Sequence, residues 1–331
     1  MTTLKSDSQN ILKTIDKLCI DLADTSKNWW PQYLFHCSDI TNILNILESD
    51  KLYSRNSLKH NDIGFNDIAS SDVIENTQDQ WKDYARLYFR PKTPTQYHNE
   101  GFRPQDNISL KASCPFPIYL MFNSKKILTR ENTVFSDGNL GSTTTNTGTD
   151  AKFFNSLDFS KIYHAEPLMD NYEKKDIIHH RCAEVAIPDF LDLSALEYIW
   201  CRSKAEMDTL LNLLTQNTRK KFKNRIGCSE RNNLFFAEWA FVESVNLNED
   251  KIIFTFNLPL KNGPFDLRFE FKDYSNRKTY ISQNTDYQIT KDLTLEVPNN
   301  LNTPLKYSVK LYIDDHIAYY GIYDETIDNV F

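Results

Sequence analysis

The sequence predicts a mixed α/β (α+β) domain followed by an all-β, sandwich-like one. Up to about residue 245, segments of helical periodicity alternate with short apolar strands. Beyond that point the helical signal stops, and short alternating strands follow one another between turn-rich pieces. Aromatic residues are 13% of the chain, with 17 Tyr and 21 Phe, which suits pleated, half-buried surfaces. The boundaries expected are a helical extension over 1–29, a main domain over 30–245 and a β-sandwich-like accessory domain over 246–331.

The first element is a helix over residues 8–23, with Ile11, Leu12, Ile15, Leu18, Cys19 and Leu22 at helical spacing. Tyr33-Leu34-Phe35-His36 reads as a strand, and Asp39 to Leu47 as a helix that Ser38 or Asp39 can cap. Leu52 to Ser54 is a second short strand, and Ser57 to Asp79 is polar and irregular. Tyr84 to Arg90 is an aromatic and basic strand; Pro91, Pro94 and Pro104 then predict an extended loop. Pro117 to Phe122 is a core strand, and Val134 to Asn139 a strand ending in an Asp-Gly turn. Residues 141–150 are the most loop-like stretch; Cys182 to Pro188 is a strand and Ser203 to Gln216 a helix. Arg219 to Arg225 is the only basic cluster.

Composition narrows the function. Eight glycines in 331 residues exclude a collagen or a Gly-rich repeat. A net charge of −7 does not fit a dedicated duplex-DNA binder, so any nucleic-acid contact must be local. The six cysteines are scattered without zinc-ligand spacing, and no apolar run is long enough to span a membrane. A cytoplasmic protein with reduced thiols is the expectation.

Glu184 is the only charge between Arg181 and Asp189, on a strand that places Cys182, Glu184 and Ala186 on one face. Either it is a solvated edge-strand charge, or it is a carboxylate held rigidly beside a cleft, able to stabilise a cationic transition state and to take a proton. The segment Phe35 to Leu44 runs from a strand end into a capped helix, aiming His36 and free amides at one point. In Tyr84 to Tyr97, Arg90 and Lys92 suit a pyrophosphate, and the aromatics suit flat rings. His60, His164, His179 and His180 do not make a metal site. The last two are adjacent, point apart on a strand, and lack a carboxylate to complete the ligand set.

Taken in chain order, H-x-S-D-I-x-N-I, LYFRPKTPTQY, SDGNL and R-x-AE-V-x-IPDFL closely resemble the DarT family of DNA ADP-ribosyltransferase toxins over roughly residues 33–215. The FRP-x-TP-x-QY form resembles the guanine-modifying branch. The resemblance implies an ADP-ribosyltransferase fold, NAD as co-substrate without a metal, and Glu184 and Arg90 as catalytic residues, Glu184 being the catalytic glutamate. It implies NAD contacts for His36, Ser38 and Asn42, and nucleotide or base contacts around Arg90, Tyr88 and Tyr97. Arg55 and Arg90 both fit the arginine near the NAD phosphates. The stretch from Ser136 to about Asp176 would be the acceptor-recognition loop, so Asn139, Lys92 and Arg181 are expected at the nucleic acid. The partners implied are single-stranded nucleic acid, DNA ahead of RNA, and a neutralising antitoxin protein. Other readings are a same-fold enzyme acting on RNA or protein in anti-phage defence, and a non-catalytic binding module.

Overall fold

A computed structural model describes residues 3–66, 77–104, 106, 113–169, 173–228, 233–297 and 306–325. The chain divides into two compact units: Met1–His98, Leu110–Ala112 and Tyr119–Ile199 in one, and Asn99–Ser109, Ser113–Ile118 and Trp200–Phe331 in the other.

The first unit is built on strands β1 (Tyr33–Asp39), β2 (Lys51–Tyr53), β3 (Tyr84–Tyr88), β4 (Pro117–Asn123), β5 (Val134–Ser136), β6 (Thr147–Gly148), β7 (Glu184–Pro188), β8 (Phe190–Asp192) and β9 (Leu196–Cys201). The main sheet runs β9-β4-β1-β3-β7-β5-β6, and β2 pairs with β8 apart from it. β3 and β7 are antiparallel, with Tyr88 opposite Glu184 and Leu87 opposite Val185. Ala85 and Leu87 point into the core, while Tyr84, Arg86 and Tyr88 occupy the other, half-buried face, as strand alternation requires. β7 lies between β3 and β5, and Glu184, Val185, Ala186 and Ile187 are all buried. Glu184 is therefore not on an edge.

β1 leads directly into helix Ile40–Ser49. Asp39 caps it, its carboxylate accepting the Thr41 amide at 3.1 Å, and Ile40, Ile43, Ile46 and Leu47 form the buried stripe. Helix Ser8–Asp21 is part of this unit, not an extension of it. Ile11 and Ile15 are fully buried, Lys5 Nζ donates to the Glu131 and Thr133 carbonyls at 3.0 and 2.8 Å, and the Ala151 amide donates to Asp7 at 2.6 Å.

The stretch expected to be an acceptor loop contains short helices. Helices Ala151–Ser156 and Phe159–Ile162 insert Phe154 and Phe159 against Phe89 and Phe135, with ring centroids 5.1–6.2 Å apart. Its polar composition hid these buried rings. Helix Pro94–Asn99 likewise interrupts the Pro91–Pro104 stretch; a proline opens a helix readily because its missing N–H would be unpaired there anyway. Residues 67–76 of the expected irregular segment lie outside the described residues, and helix Arg55–His60 precedes them.

The second unit holds the short β10 (Ile226–Cys228), then β11 (Val242–Leu247), β12 (Lys251–Phe256), β13 (Phe265–Asp273), β14 (Lys278–Tyr287), β15 (Asp292–Glu296), β16 (Lys306–Ile313) and β17 (His316–Asp324). Sheets β11-β12-β15 and β14-β13-β16-β17 contribute to one cluster that includes Phe254, Phe256, Phe269, Phe271, Tyr307 and Tyr319, which makes the sandwich. A boundary at residue 245 would cut β11, whose residues pair with β12 from Val242 to Leu247. The unit also takes in residues near 100 through buried charge. Glu100 accepts the Phe236 and Ala237 amides at 3.0 and 2.7 Å, and Arg202, bonded to Glu206, donates to the Pro115 carbonyl at 3.0 Å.

Replacing Asp39 by Ala removes the cap of helix Ile40–Ser49 and is expected to cost about 1 kcal/mol of unfolding free energy. Urea denaturation of the two proteins measures it.

Candidate active site

Glu184 opens β7 and is only 1% exposed. Its Oε2 accepts the Leu140 amide at 2.7 Å and lies 3.7 Å from Arg86 Nη1, and its carboxylate also accepts a hydrogen bond from the Tyr88 hydroxyl. The backbone is fixed as well: the Glu184 amide donates to Ser136 Oγ at 2.9 Å, and the Ser136 hydroxyl reaches the Gly138 carbonyl at 2.7 Å. Burial pushes the carboxyl above its ordinary pKa, while Arg86, the Leu140 amide and Tyr88 pull the other way. Such a carboxylate can face a developing cation as an anion and then accept a proton.

His36, on β1, places Nδ1 3.1 Å from the Arg86 carbonyl. A carbonyl can only accept, so Nδ1 carries the proton and Nε2 presents a lone pair. Burial lowers the imidazole pKa to about 4, which keeps it neutral near pH 7 and suited to receive a hydroxyl proton. Ser38 is buried and accepts from Asn42 Nδ2 at 3.0 Å. Asn42 also donates to the Asn66 carbonyl and accepts the Asn66 amide, each at 2.8 Å, while Asn45 Nδ2 donates to the Gly64 carbonyl at 2.8 Å. Asn42 thus ties the segment around Phe65 to the His36 motif, and Phe65 lies under the Arg55 guanidinium at 5.4 Å. Arg55 begins its helix, capped by Ser54.

The expected arginine roles redistribute. Arg90 is buried, with Nε donating to the Pro91 carbonyl at 2.9 Å, Nη1 reaching the carbonyls of Ile162 and His164, and Trp30 beneath it at 5.1 Å. Burial, then repulsion from Arg181, lowers its pKa to about 9. It braces the fold, and it is Arg86 that pairs with Glu184. β3 ends at Tyr88, so Arg90 lies past the strand on which alternation could have aimed it.

Asn139 shapes a turn: its Oδ1 accepts the Gly141 amide at 2.6 Å and its carbonyl the Thr145 hydroxyl at 2.7 Å. That turn aims the next amide, Leu140, at Glu184. Lys92 sits at φ 53°, its amide donating to the Tyr119 hydroxyl at 3.2 Å. Tyr97 is 47% exposed on helix Pro94–Asn99, edge-on to His98. Arg181 ends helix Lys174–Arg181 and donates to the Glu166 carbonyl at 2.6 Å, while its Nε is buried with no hydrogen-bond partner. His179 and His180 are on this helix, not on a strand. They engage Asp137 through its carboxylate and its carbonyl at 3.2 and 3.1 Å. Among the described residues, no group of three or more His, Cys, Asp or Glu could hold a metal.

A buried carboxylate on a central strand, faced by tyrosine and arginine, is a group that can stabilise a developing positive charge. The family model DarT, described as ssDNA thymidine ADP-ribosyltransferase, matches residues 35–235, a span that contains His36, Arg86, Tyr88 and Glu184. The chain belongs to the DarT family and is an NAD-dependent ADP-ribosyltransferase. Solved structures to which the chain is similar include Thermus sp. 2.9 DarT in complex with ADP-ribosylated ssDNA (18% identity, 62% of this chain, 97% of that chain, TM-score 0.49). They also include the same protein in complex with NAD+ (16%, 62%, 98%, 0.46) and Thermosipho africanus DarTG in complex with ADP-ribose (16%, 66%, 54%, 0.46). No curated protein matches the chain.

A transfer that uses Glu184 as the anion falls as pH drops through a pKa above the ordinary 4.5. Arg86→Gln removes the cation that lowers this pKa, so the acid limb of the pH–rate profile shifts to higher pH, whereas a merely structural Arg86 would leave the limb in place. The depressed His36 pKa acts on stability. The unfolded chain takes up a proton near pH 6.5 while the folded chain resists to about 4, so stability present above 6.5 is lost progressively as pH falls toward 4. His36→Gln flattens that loss in denaturation measured across the window.

Proposed function

We propose that the chain transfers ADP-ribose from NAD to a base of single-stranded DNA and releases nicotinamide. The carrying observation is the arrangement at Glu184: one buried carboxylate held by a backbone amide, a tyrosine and an arginine within the span matched to the family. The bond between the ribose C1 and the nicotinamide nitrogen breaks, and its electron pair neutralises the pyridinium. Glu184 stabilises the resulting oxocarbenium-like charge, a ring nitrogen of the base bonds to C1, and Glu184 takes the proton that the base gives up. His36 Nε2 receives a ribose hydroxyl. Arg55, on the helix start next to Phe65, is left to face the pyrophosphate, since Arg90 is committed to carbonyls. Ser38 and Asn42 set the shape of this NAD wall, and Arg181, Lys92 and Tyr97 are assigned to the acceptor strand.

Guanine is the acceptor we propose, on the LYFRPKTPTQY segment; the thymidine of the family description is the competing base. The enzyme acts in the cytoplasm as a toxin in anti-phage defence, held in check by an antitoxin protein. No helix among the described residues is long and apolar enough to cross a membrane.

Mass spectrometry of single-stranded oligonucleotides that carry one guanine or one thymine tests the reading. ADP-ribose is expected on the guanine, with Glu184→Gln slower by on the order of 10²–10³-fold. Adduct on thymine alone would correct the base, and adduct only on RNA or protein would overturn the acceptor. Expression that is toxic only with Glu184 intact separates an enzyme from a binding module.

A further inference from the structure

The second unit carries a surface to which the transfer reaction gives no role. On β13, β16 and β17, alternate residues fill the sandwich core and their neighbours face outward. The outward residues pair in rows. Arg268 is opposite Gln283 and Tyr312; Glu270 is opposite Ile281 and Lys310, which in turn meets Tyr320; Lys272 is opposite Thr279 and Ser308. Three cations of this face lie over three tyrosine rings. Arg268 is 3.8 Å from the centroid of Tyr312, Lys310 is 5.1 Å from Tyr320, and Lys272 is 5.1 Å from Tyr274. Ile281 is 64% and Ile322 40% exposed on the same face.

Against a net charge of −7 for the chain, this face carries Arg268, Lys272, Lys306 and Lys310 beside Asp266, Glu270 and Asp324, with Lys306 paired to Asp324. Glu270 is already engaged, by the Arg268 guanidinium and by the Tyr312 hydroxyl at 3.4 Å. The only basic cluster of the sequence borders the same patch. Arg219, on helix Gln216–Phe222, acts electrostatically on Tyr320, and its buried Nε has no hydrogen-bond partner. Lys220, Lys221 and Lys223 on and beside that helix are exposed. One edge of the sheet, β17, is closed by helix Lys204–Leu213, whose Thr209 hydroxyl accepts the Tyr320 amide at 3.0 Å. The other edge, β14, is exposed along most of its length.

Cations that track a phosphate backbone, interleaved with rings on which bases stack, are what a single strand needs and a duplex does not. We infer that the outer face of β13–β16–β17, with Arg219, is a second binding surface for single-stranded nucleic acid, one that holds the acceptor strand while its base is modified elsewhere. The inference rests on the proposed single-stranded DNA acceptor.

The test uses the full chain. Arg268→Ser, Lys310→Ser and Tyr312→Ser are combined in the Glu184→Gln background, and a fluorescein-labelled strand of about 30 nucleotides is titrated by anisotropy. The expected result is a Kd raised about tenfold, with a shallower salt dependence, at an unchanged melting temperature. Unchanged affinity in a natively folded variant overturns the inference, as does a wild-type surface that binds duplex as tightly as single strand. In the active background, the triple variant should modify a strand of about 6 nucleotides at the wild-type rate and the longer strand about tenfold more slowly. Equal rates on both lengths count against the surface. If wild type modifies neither strand, the proposed acceptor fails, and the anisotropy still decides whether the surface binds.

Discussion

Removing the Glu184 carboxylate from water is the constraint around which the first unit is arranged. A desolvated anion is costly unless polar groups replace its hydration. Here they come from three places: the Leu140 amide from a turn, Tyr88 from the neighbouring strand, and Arg86 two residues earlier on that strand. Each depends on further structure. Tyr88 needs the β3–β7 register, Arg86 needs the alternation of β3, and Leu140 needs the turn that Asn139 closes. The same strand connects to β1, because the Arg86 carbonyl sets the His36 tautomer.

The molecule uses buried arginine in two different ways. Arg90 donates to carbonyls above an aromatic face, and Arg202 donates through Nε and Nη2 to Glu206 and the Pro115 carbonyl, with Nη1 3.8 Å from Glu100. These networks fix loops and cannot readily release a guanidinium to a ligand. Arg86 is different: one Nη donates to the Trp81 carbonyl at 3.1 Å, while the other lies 3.7 Å from a single carboxylate oxygen, and the side chain is 24% exposed. The Trp81 carbonyl holds the guanidinium in place, and its charge lowers the Glu184 pKa.

The sequence alone carried much of this. The β1–helix unit was legible because its apolar spacing and its cap are local, and the alternating strands beyond residue 245 were legible for the same reason. Glu184 was legible as a lone charge in an apolar strand. Arg86 was not, since finding it requires the pairing of strands about a hundred residues apart, which no local pattern specifies. Arg90 drew attention through its proline-rich neighbourhood, where composition says nothing about which carbonyls a side chain will meet. The helices inside the expected acceptor loop were hidden because they are short and only a few of their residues are buried.

The hydrogen bond from Leu140 comes from the main chain, and this has an evolutionary consequence. Any amino acid except proline would supply the same donor, so selection on Glu184 constrains the path of the turn and leaves its side chains largely free. Residues 141–146 continue from that turn, mostly half-buried or exposed. A lineage could therefore rewrite what these residues touch without disturbing the main-chain hydrogen bond that holds the Glu184 carboxylate.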